Sequence, residues 1–346
     1  MGPHSPRGPF CYERFINRPH DCLRVCLSFI LLLQSSPDNH SVIANMLRKT
    51  PIDAAGGPNA LVGFAPPILT PSLAETSTAH QIHAEVGRYR MRLAQSREDR
   101  IAACRLRFRV FNIEMGKGLE SSYQTGIDTD QFDDACEHLI VEDKMEENPG
   151  RNIVGTYRMQ SGANAAAHRG YYSEQEFNLA PYEPLRPGVL ELGRASIDRD
   201  HRTPEVLTLL WRGIAQYATD MGLRYLIGCS SLTSKDPAEG WALYRQLEMF
   251  RVPPEFETVP TAAYACPTEP QADQAQPTAA APESNECPRP AVKVPKLLKT
   301  YLAIGARIAA PPARDREFGT IDFLTLLDLK LLSPAARSRF LAPLTQ

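Results

Sequence analysis

The stretch Gly188-Val189-Leu190-Glu191-Leu192-Gly193-Arg194-Ala195-Ser196-Ile197-Asp198 constrains the chain more than any other. It is an apolar run opened by Pro187-Gly188, and it holds a carboxylate and a guanidinium three residues apart. Such a run predicts a buried strand. A buried ion is costly unless it is paired, so Glu191 and Arg194 are functional candidates on their position alone. Just downstream, Thr203 suits the cap of a helix whose first residue is Pro204. The free N–H groups of that helix start would face the strand end as an anion site.

Upstream, Arg88-Tyr89-Arg90-Met91-Arg92-Leu93 alternates arginine with apolar residues, as a half-buried strand requires. Ser96 then caps a helix with Glu98 and Asp99 in its first turn and Ile101, Cys104, Leu106, Phe108 and Phe111 along one side, ending at Gly116. A loop over 126–132 crowded with carboxylates leads to a strand at His138-Leu139-Ile140-Val141. The turn Asn148-Pro149-Gly150 joins it to the run from Asn152 to Met159 as an antiparallel hairpin. After the central strand come a helix from Pro204 to Met221 stopped by Gly222, a strand from Leu223 to Gly228, and a helix from Glu239 to Leu247. This order predicts a mixed α/β (α+β) fold.

Ten prolines between Pro253 and Pro295, with few large apolar residues among them, predict a flexible insertion. Lys296 to Ile308 then reads as a basic amphipathic segment, and Phe318 to Leu329 is apolar enough to complete the sheet. The expected division is an N-terminal extension over 1–80, a core over 81–252, the insertion over 253–295 and the rest of the core over 296–346. The extension is rich in Pro, Ser and His without periodicity and reads as disordered, or as a mis-assigned start with Met46 as the true one. Its apolar run from Cys22 to Leu33 is too short to span a membrane; a signal-peptide core is the alternative reading.

A net charge of −2 gives no global pull toward nucleic acid, but charge is unevenly spread. Eight arginines between Arg88 and Arg109 precede an acidic block from Asp128 to Glu147, so one site is expected to meet both signs. The eight cysteines show neither a disulfide framework nor zinc-ligand spacing. They read as reduced thiols of a cytoplasmic protein, and Cys104, Cys136 and Cys229 as small core residues.

The series Leu106-Arg107-Phe108-Arg109-Val110-Phe111, Asp128-Thr129-Asp130-Gln131-Phe132-Asp133, Tyr157-Arg158 and Glu191-Leu192-Gly193-Arg194 resembles the acyl-homoserine-lactone synthases and the wider GNAT-like superfamily over residues 85 to 250. Those synthases place a tryptophan shortly after the phenylalanine matching Phe111; here Met115-Gly116-Lys117 stands there, which argues against S-adenosylmethionine as substrate. The tail segments Lys296 to Ala306 and Phe318 to Phe323, with Cys136 to Asp143, are similar to bacterial L-ornithine N-acyltransferases. The resemblance implies a GNAT-like three-layer fold with a central mixed, mostly antiparallel sheet flanked by helices. It further implies transfer of a 3-hydroxyacyl chain from acyl carrier protein to the α-amine of L-ornithine, giving lyso-ornithine lipid. No cofactor or metal is expected, and the enzyme is expected in the cytoplasm, peripheral on the inner membrane. The alternatives are a homoserine-lactone synthase, an N-acyltransferase for another amino acid, or a non-catalytic module that binds carrier protein or lipid.

On this reading Glu191 is the general base, its pKa raised by an apolar strand, or else the partner that braces Arg194. Asp130 and Asp133 receive the amine or form an ion-pair network, helped by the resemblance. Arg107 and Arg158 hold those carboxylates or bind the ornithine carboxylate, and Phe111 is carried over by the resemblance alone. Arg199 and Arg202, with the helix start at Pro204, are candidates for the phosphate of a phosphopantetheine arm. Arg199-Asp200-His201-Arg202 stands where users of acetyl-CoA place a glycine-rich loop, which suits a carrier-protein donor. Lys293, Lys296, Lys299 and Arg307 suit an acidic carrier protein or an anionic membrane face, or else form the wet side of a helix. His138 and Asp143 form a His-x4-Asp pattern, but their spacing on a strand sets them on opposite faces.

Overall fold

The computed structural model describes residues 82–267 and 291–340. The expected extension over 1–80, with Met46 and the Cys22 to Leu33 run, lies outside the described residues, as do 268–290 and 341–346. In chain order the elements are β1 (His83–Val86), β2 (Tyr89–Leu93), α1 (Arg97–Phe108) and β3 (Glu137–Asp143), then β4 (Ile153–Ser161), α2 (Gly162–Ala167), β5 (Val189–Ile197) and α3 (Pro204–Asp220). There follow β6 (Tyr225–Leu232), α4 (Pro237–Gln246), α5 (Lys296–Ile304), β7 (Arg307–Ile308), β8 (Ala313–Asp315), β9 (Thr320–Asp328) and α6 (Pro334–Phe340). The strands form one sheet in the order β1-β2-β3-β4-β5-β6-β9-β7, with β8 also on β9. Every pairing is antiparallel except β5 with β6.

Side chains two apart on a strand share a face, and each face is covered by its own helix. Leu139 and Val141 of β3, Tyr157 and Met159 of β4 and Leu190 of β5 pack with Val206, Leu210 and Ile214 of α3. Ile140 and Ile153 lie on the other face with Ala103 and Leu106 of α1. This gives the expected layering of helices on both sides of a mostly antiparallel sheet. Both helices start as their sequences direct. Ser96 accepts from Asp99 N in a capping box, and Thr203 accepts from Val206 N with Pro204 as the first residue.

Two local departures matter for the site. The helix starting at Arg97 does not run evenly to Gly116; from Arg109 to Glu114 it widens into a π-helical turn. The proline-rich insertion expected from 253 is ordered through 267, because its backbone bonds to the core. Val259 O accepts from Asn178 N, Thr261 N donates to Glu176 O, and Arg314 N donates to Tyr264 O. Prolines there remove donors without preventing the remaining amides from pairing.

Candidate active site

Strands β5 and β6 pair only over Val189–Glu191 and Tyr225–Ile227. At the next position a Cβ on Gly228 would sit 2.3 Å from Leu192 O, so only glycine allows the two backbones this close. Beyond it β5 stays with β4 as far as Ile197, while β6 stays with β9 as far as Leu232. The two strands therefore part. The cleft between them encloses about 70 Å³ and is lined by Leu192, Gly193, Ala195, Cys229, Tyr157 and Tyr301, among others. That is room for a thin chain rather than a bulky ring.

The parting coincides with a bulge. Thr156 pairs with Ser196 and Arg158 with Gly193, so β5 carries one residue more than β4 across that interval. Arg194 takes up the excess with φ 52°, alone among the described non-glycine residues in that region. The bulge turns its guanidinium out of the ladder, where Nη2 donates to Asp130 Oδ2 at 2.7 Å and the group lies over Tyr172 (5.4 Å) and Phe318 (4.4 Å).

Asp130 belongs to a chain of alternating charges. Arg158 Nη1 donates to Asp130 Oδ1 (2.6 Å) and Asp133 Oδ1 (3.2 Å). Arg107, fully buried, binds Asp133 as a two-pronged fork (2.6 and 2.9 Å) and Asp128 through Nε (2.8 Å). Burial alone would raise both aspartates, but Arg158 and Arg194 hold Asp130 below the usual carboxylate range, and Arg107 and Arg158 hold Asp133 far below it. Of the two readings open for these aspartates, the geometry matches an ion-pair network, with Arg107 and Arg158 as its clamps. Phe111 stands apart on the π-helical turn, packed against the cluster under α1.

Glu191 does not brace Arg194. It is 5% exposed, and its carboxylate accepts from Tyr172 N (2.8 Å), Ser173 N (2.7 Å) and Ser173 Oγ (2.6 Å). Burial raises its pKa, and the three donors moderate the rise. Its cross-strand partner Gln160 is 2% exposed, and both polar atoms of that amide lack a protein partner. Tyr172, Ser173 and Gln160 escaped the sequence reading. Tyr172 and Ser173 sit on a short 3-10 turn, Tyr172–Gln175, whose sequence has no periodicity to announce it.

The arginines expected to hold a phosphate are placed unequally. Arg199 is exposed on the short turn after β5, whereas Arg202 makes a two-pronged pair with Glu114 at 2.6 Å through both nitrogens. Arg109 was not singled out. Its Nη2 lies 3.6 Å from Asp198 Oδ2 near that strand exit, and its Nε and Nη2 are buried without a hydrogen bond. His138 and Asp143 do not meet. His138 Nε2 lies 3.2 Å from Asp133 O, and Asp143 is paired with Arg88 Nε at 2.7 Å. Cys229 packs against the core on one side and lines the cleft on the other, and burial raises its thiol well above the usual value, which keeps it protonated. The exposed face of α5 carries Lys296 and Lys299, while Leu298, Leu302 and Ile304 face inward.

Proteins similar in sequence to this chain are named as acyltransferases. An acetyltransferase (GNAT) domain family matches residues 106–212. An L-ornithine N(alpha)-acyltransferase of Brucella abortus is 32% identical over 259 residues, covering 73% of this chain and 88% of that protein. This chain belongs to that family. A second L-ornithine N(alpha)-acyltransferase, from Agrobacterium fabrum, is 29% identical over 77% of this chain and 89% of its own length. An N-acyl amino acid synthase from uncultured soil microbes overlays the acyltransferase with a TM-score of 0.40 at 13% identity, over 73% of this chain and 96% of that one. That likeness is distant, and membership rests on the sequence relatives. Among the described residues, no helix of the acyltransferase is long and apolar enough to cross a membrane.

Proposed function

We propose that this acyltransferase joins a 3-hydroxyacyl chain, delivered as a thioester on acyl carrier protein, to the α-amine of L-ornithine, giving a lyso-ornithine lipid. The observation that carries the reading is the cleft opened at Gly228, with Glu191 buried beside it and Arg194 at its bulge. The acceptor is the one named for the family's relatives. Arg194 offers the remaining donors of its fork to the acceptor carboxylate. Glu191, its pKa raised by burial, takes a proton from the α-ammonium. The free amine nitrogen then bonds to the thioester carbon; as the C–S bond breaks the nitrogen gives up a second proton to become the amide, and of the two protons lost one leaves with the pantetheine sulfur as a thiol and the other passes to water. The chemistry as written needs no covalent enzyme intermediate, metal or cofactor. Arg109, whose Nε is buried without a hydrogen bond while Nη2 stays near Asp198, and exposed Arg199 supply positive charge for the donor phosphate where the α3 N-terminus begins. Lys296 and Lys299 suit an acidic carrier protein and the anionic cytoplasmic face of the inner membrane.

The test is mass analysis of lipids from a host that makes no ornithine lipid and expresses this chain. N-acylated ornithine with a 3-hydroxyacyl chain supports the reading. A different acylated amine, or no new lipid, contradicts it.

A further inference from the structure

Beyond Glu191, on the same face of the sheet, three carboxylates meet without a cation. Glu176 follows the Tyr172–Gln175 turn, Asp315 ends β8 and Asp322 lies in β9, and one oxygen from each falls within 4.8 Å of the others. All three are buried, at 1, 3 and 4% exposure. Among the described residues no lysine, arginine or histidine forms a salt bridge with any of them. Both oxygens of Glu176 and Oδ1 of Asp322 are also buried without a hydrogen-bond donor. The Cys229 thiol, a weak donor, lies beside Glu176 and 3.6 Å from Ser173 Oγ. Elsewhere the buried aspartates have arginine partners, as Asp128, Asp133 and Asp143 do. Orphaned carboxylate oxygens in a protein interior mark a site whose counterion comes from outside the chain.

We propose that Glu176, Asp315 and Asp322 form the pocket that receives the side-chain ammonium of the amino-acid acceptor, an inference that rests on ornithine being that acceptor. The network of Asp130 and Asp133 leaves that task unfilled, since three arginines already neutralise it. Number and placement both fit. An ammonium carries three N–H donors, and the cluster offers three acceptors. Magnesium or calcium would require six or more oxygens, which three carboxylates and their hydroxyl neighbours supply less readily. Glu176 lies one 3-10 turn beyond Ser173, which holds Glu191, so the backbone that carries Glu176 stands about 6 Å of turn rise from the backbone that binds Glu191. The two amines of an extended ornithine, five bonds apart, are separated by roughly the same 6 Å. Ser231, which pairs with Asp322 across β6 and β9, is exposed, so the cluster lies one residue from the surface. Burial raises the pKa of Glu176 well above its usual value and that of Asp322 to about 6, as expected of carboxylates awaiting a cation.

The experiment uses the full chain with 3-hydroxyacyl carrier protein and two acceptors, L-ornithine and L-norvaline, which share the α-amino acid and differ in the terminal ammonium. Wild type is expected to prefer ornithine in kcat/KM by at least about 100-fold. Asp322→Asn and Glu176→Gln are each expected to reduce that preference at least tenfold, chiefly through KM for ornithine. Equal use of both acceptors by wild type overturns the pocket and needs no variant to read. An unchanged preference in folded variants overturns it as well, as does turnover that a chelator abolishes and magnesium or calcium restores. Transfer to neither amino acid overturns the acceptor reading, and the pocket with it.

Discussion

Arg194 donates to Asp130 at 2.7 Å across 64 residues of chain and not to Glu191, three residues before it on the same strand. That choice separates the two charges of β5. Arg194 joins a neutralised network, while Glu191 keeps a carboxylate held only by neutral donors. A carboxylate without a cation stays basic enough to take a proton.

The network sets a stability prediction. Asp130→Asn leaves Arg158 and Arg194 short of a counter-charge, and breaking a buried pair from one side typically costs about 3–5 kcal/mol. Asp130 keeps 15% of its side chain exposed, so the lower end is expected, about 3 kcal/mol, in urea unfolding. A change under about 0.5 kcal/mol, the usual range for surface substitutions, contradicts the network.

A pair of glycine substitutions probes the cleft. Gly228→Ala forces a Cβ to 2.3 Å from Leu192 O, whereas Gly193→Ala meets nothing within 4 Å. Gly228→Ala should cost about 1–3 kcal/mol and reduce acyl transfer, because it pushes apart the strands where they part. Gly193→Ala should fold with near-normal stability. Equal stability of the two variants in thermal melts speaks against this geometry.

Folding stability should also depend on pH through Asp322. Its folded pKa, about 6, lies above the ordinary value near 4, so the folded state holds the proton more tightly. Its contribution is fully present below about pH 4, falls as pH rises to about 6, then levels off. Asp130 and Asp133 are held low and act in the opposite sense, losing their contribution as pH falls below about 4. The stability of Asp322→Asn relative to wild type should therefore rise between pH 4 and 6, on the order of 3 kcal/mol. A pH-independent difference excludes the raised pKa.

Much of this site was legible because local signals agree with tertiary ones. Thr203-Pro204 and Ser96 with Asp99 state their helix starts in the sequence, alternation states β2, and a short apolar run states β3. What stayed hidden depends on contacts distant in the chain. Ser173 matters only because Glu191, 18 residues later, folds back onto it. Glu176 matters because β8 and β9, more than a hundred residues away, bring Asp315 and Asp322 to it. Asp322 alone was within reach, since a carboxylate inside an apolar strand is the same signal that singled out Glu191. The partnering of Glu191 was not, because nothing in Glu191-Leu192-Gly193-Arg194 announces that Arg194 adopts a positive φ and turns away.

The most direct measurement is the single-turnover rate of acyl transfer to L-ornithine from 3-hydroxyacyl carrier protein, in wild type and in Glu191→Gln. The Gln side chain retains one carbonyl oxygen to accept from Ser173, so the variant should fold, and circular dichroism with a thermal melt confirms it. With Glu191 as the base, the rate should fall by about 10²–10⁴-fold, and the acid limb of the wild-type pH profile should disappear. A folded Glu191→Gln variant that transfers the acyl chain at close to the wild-type rate contradicts the account.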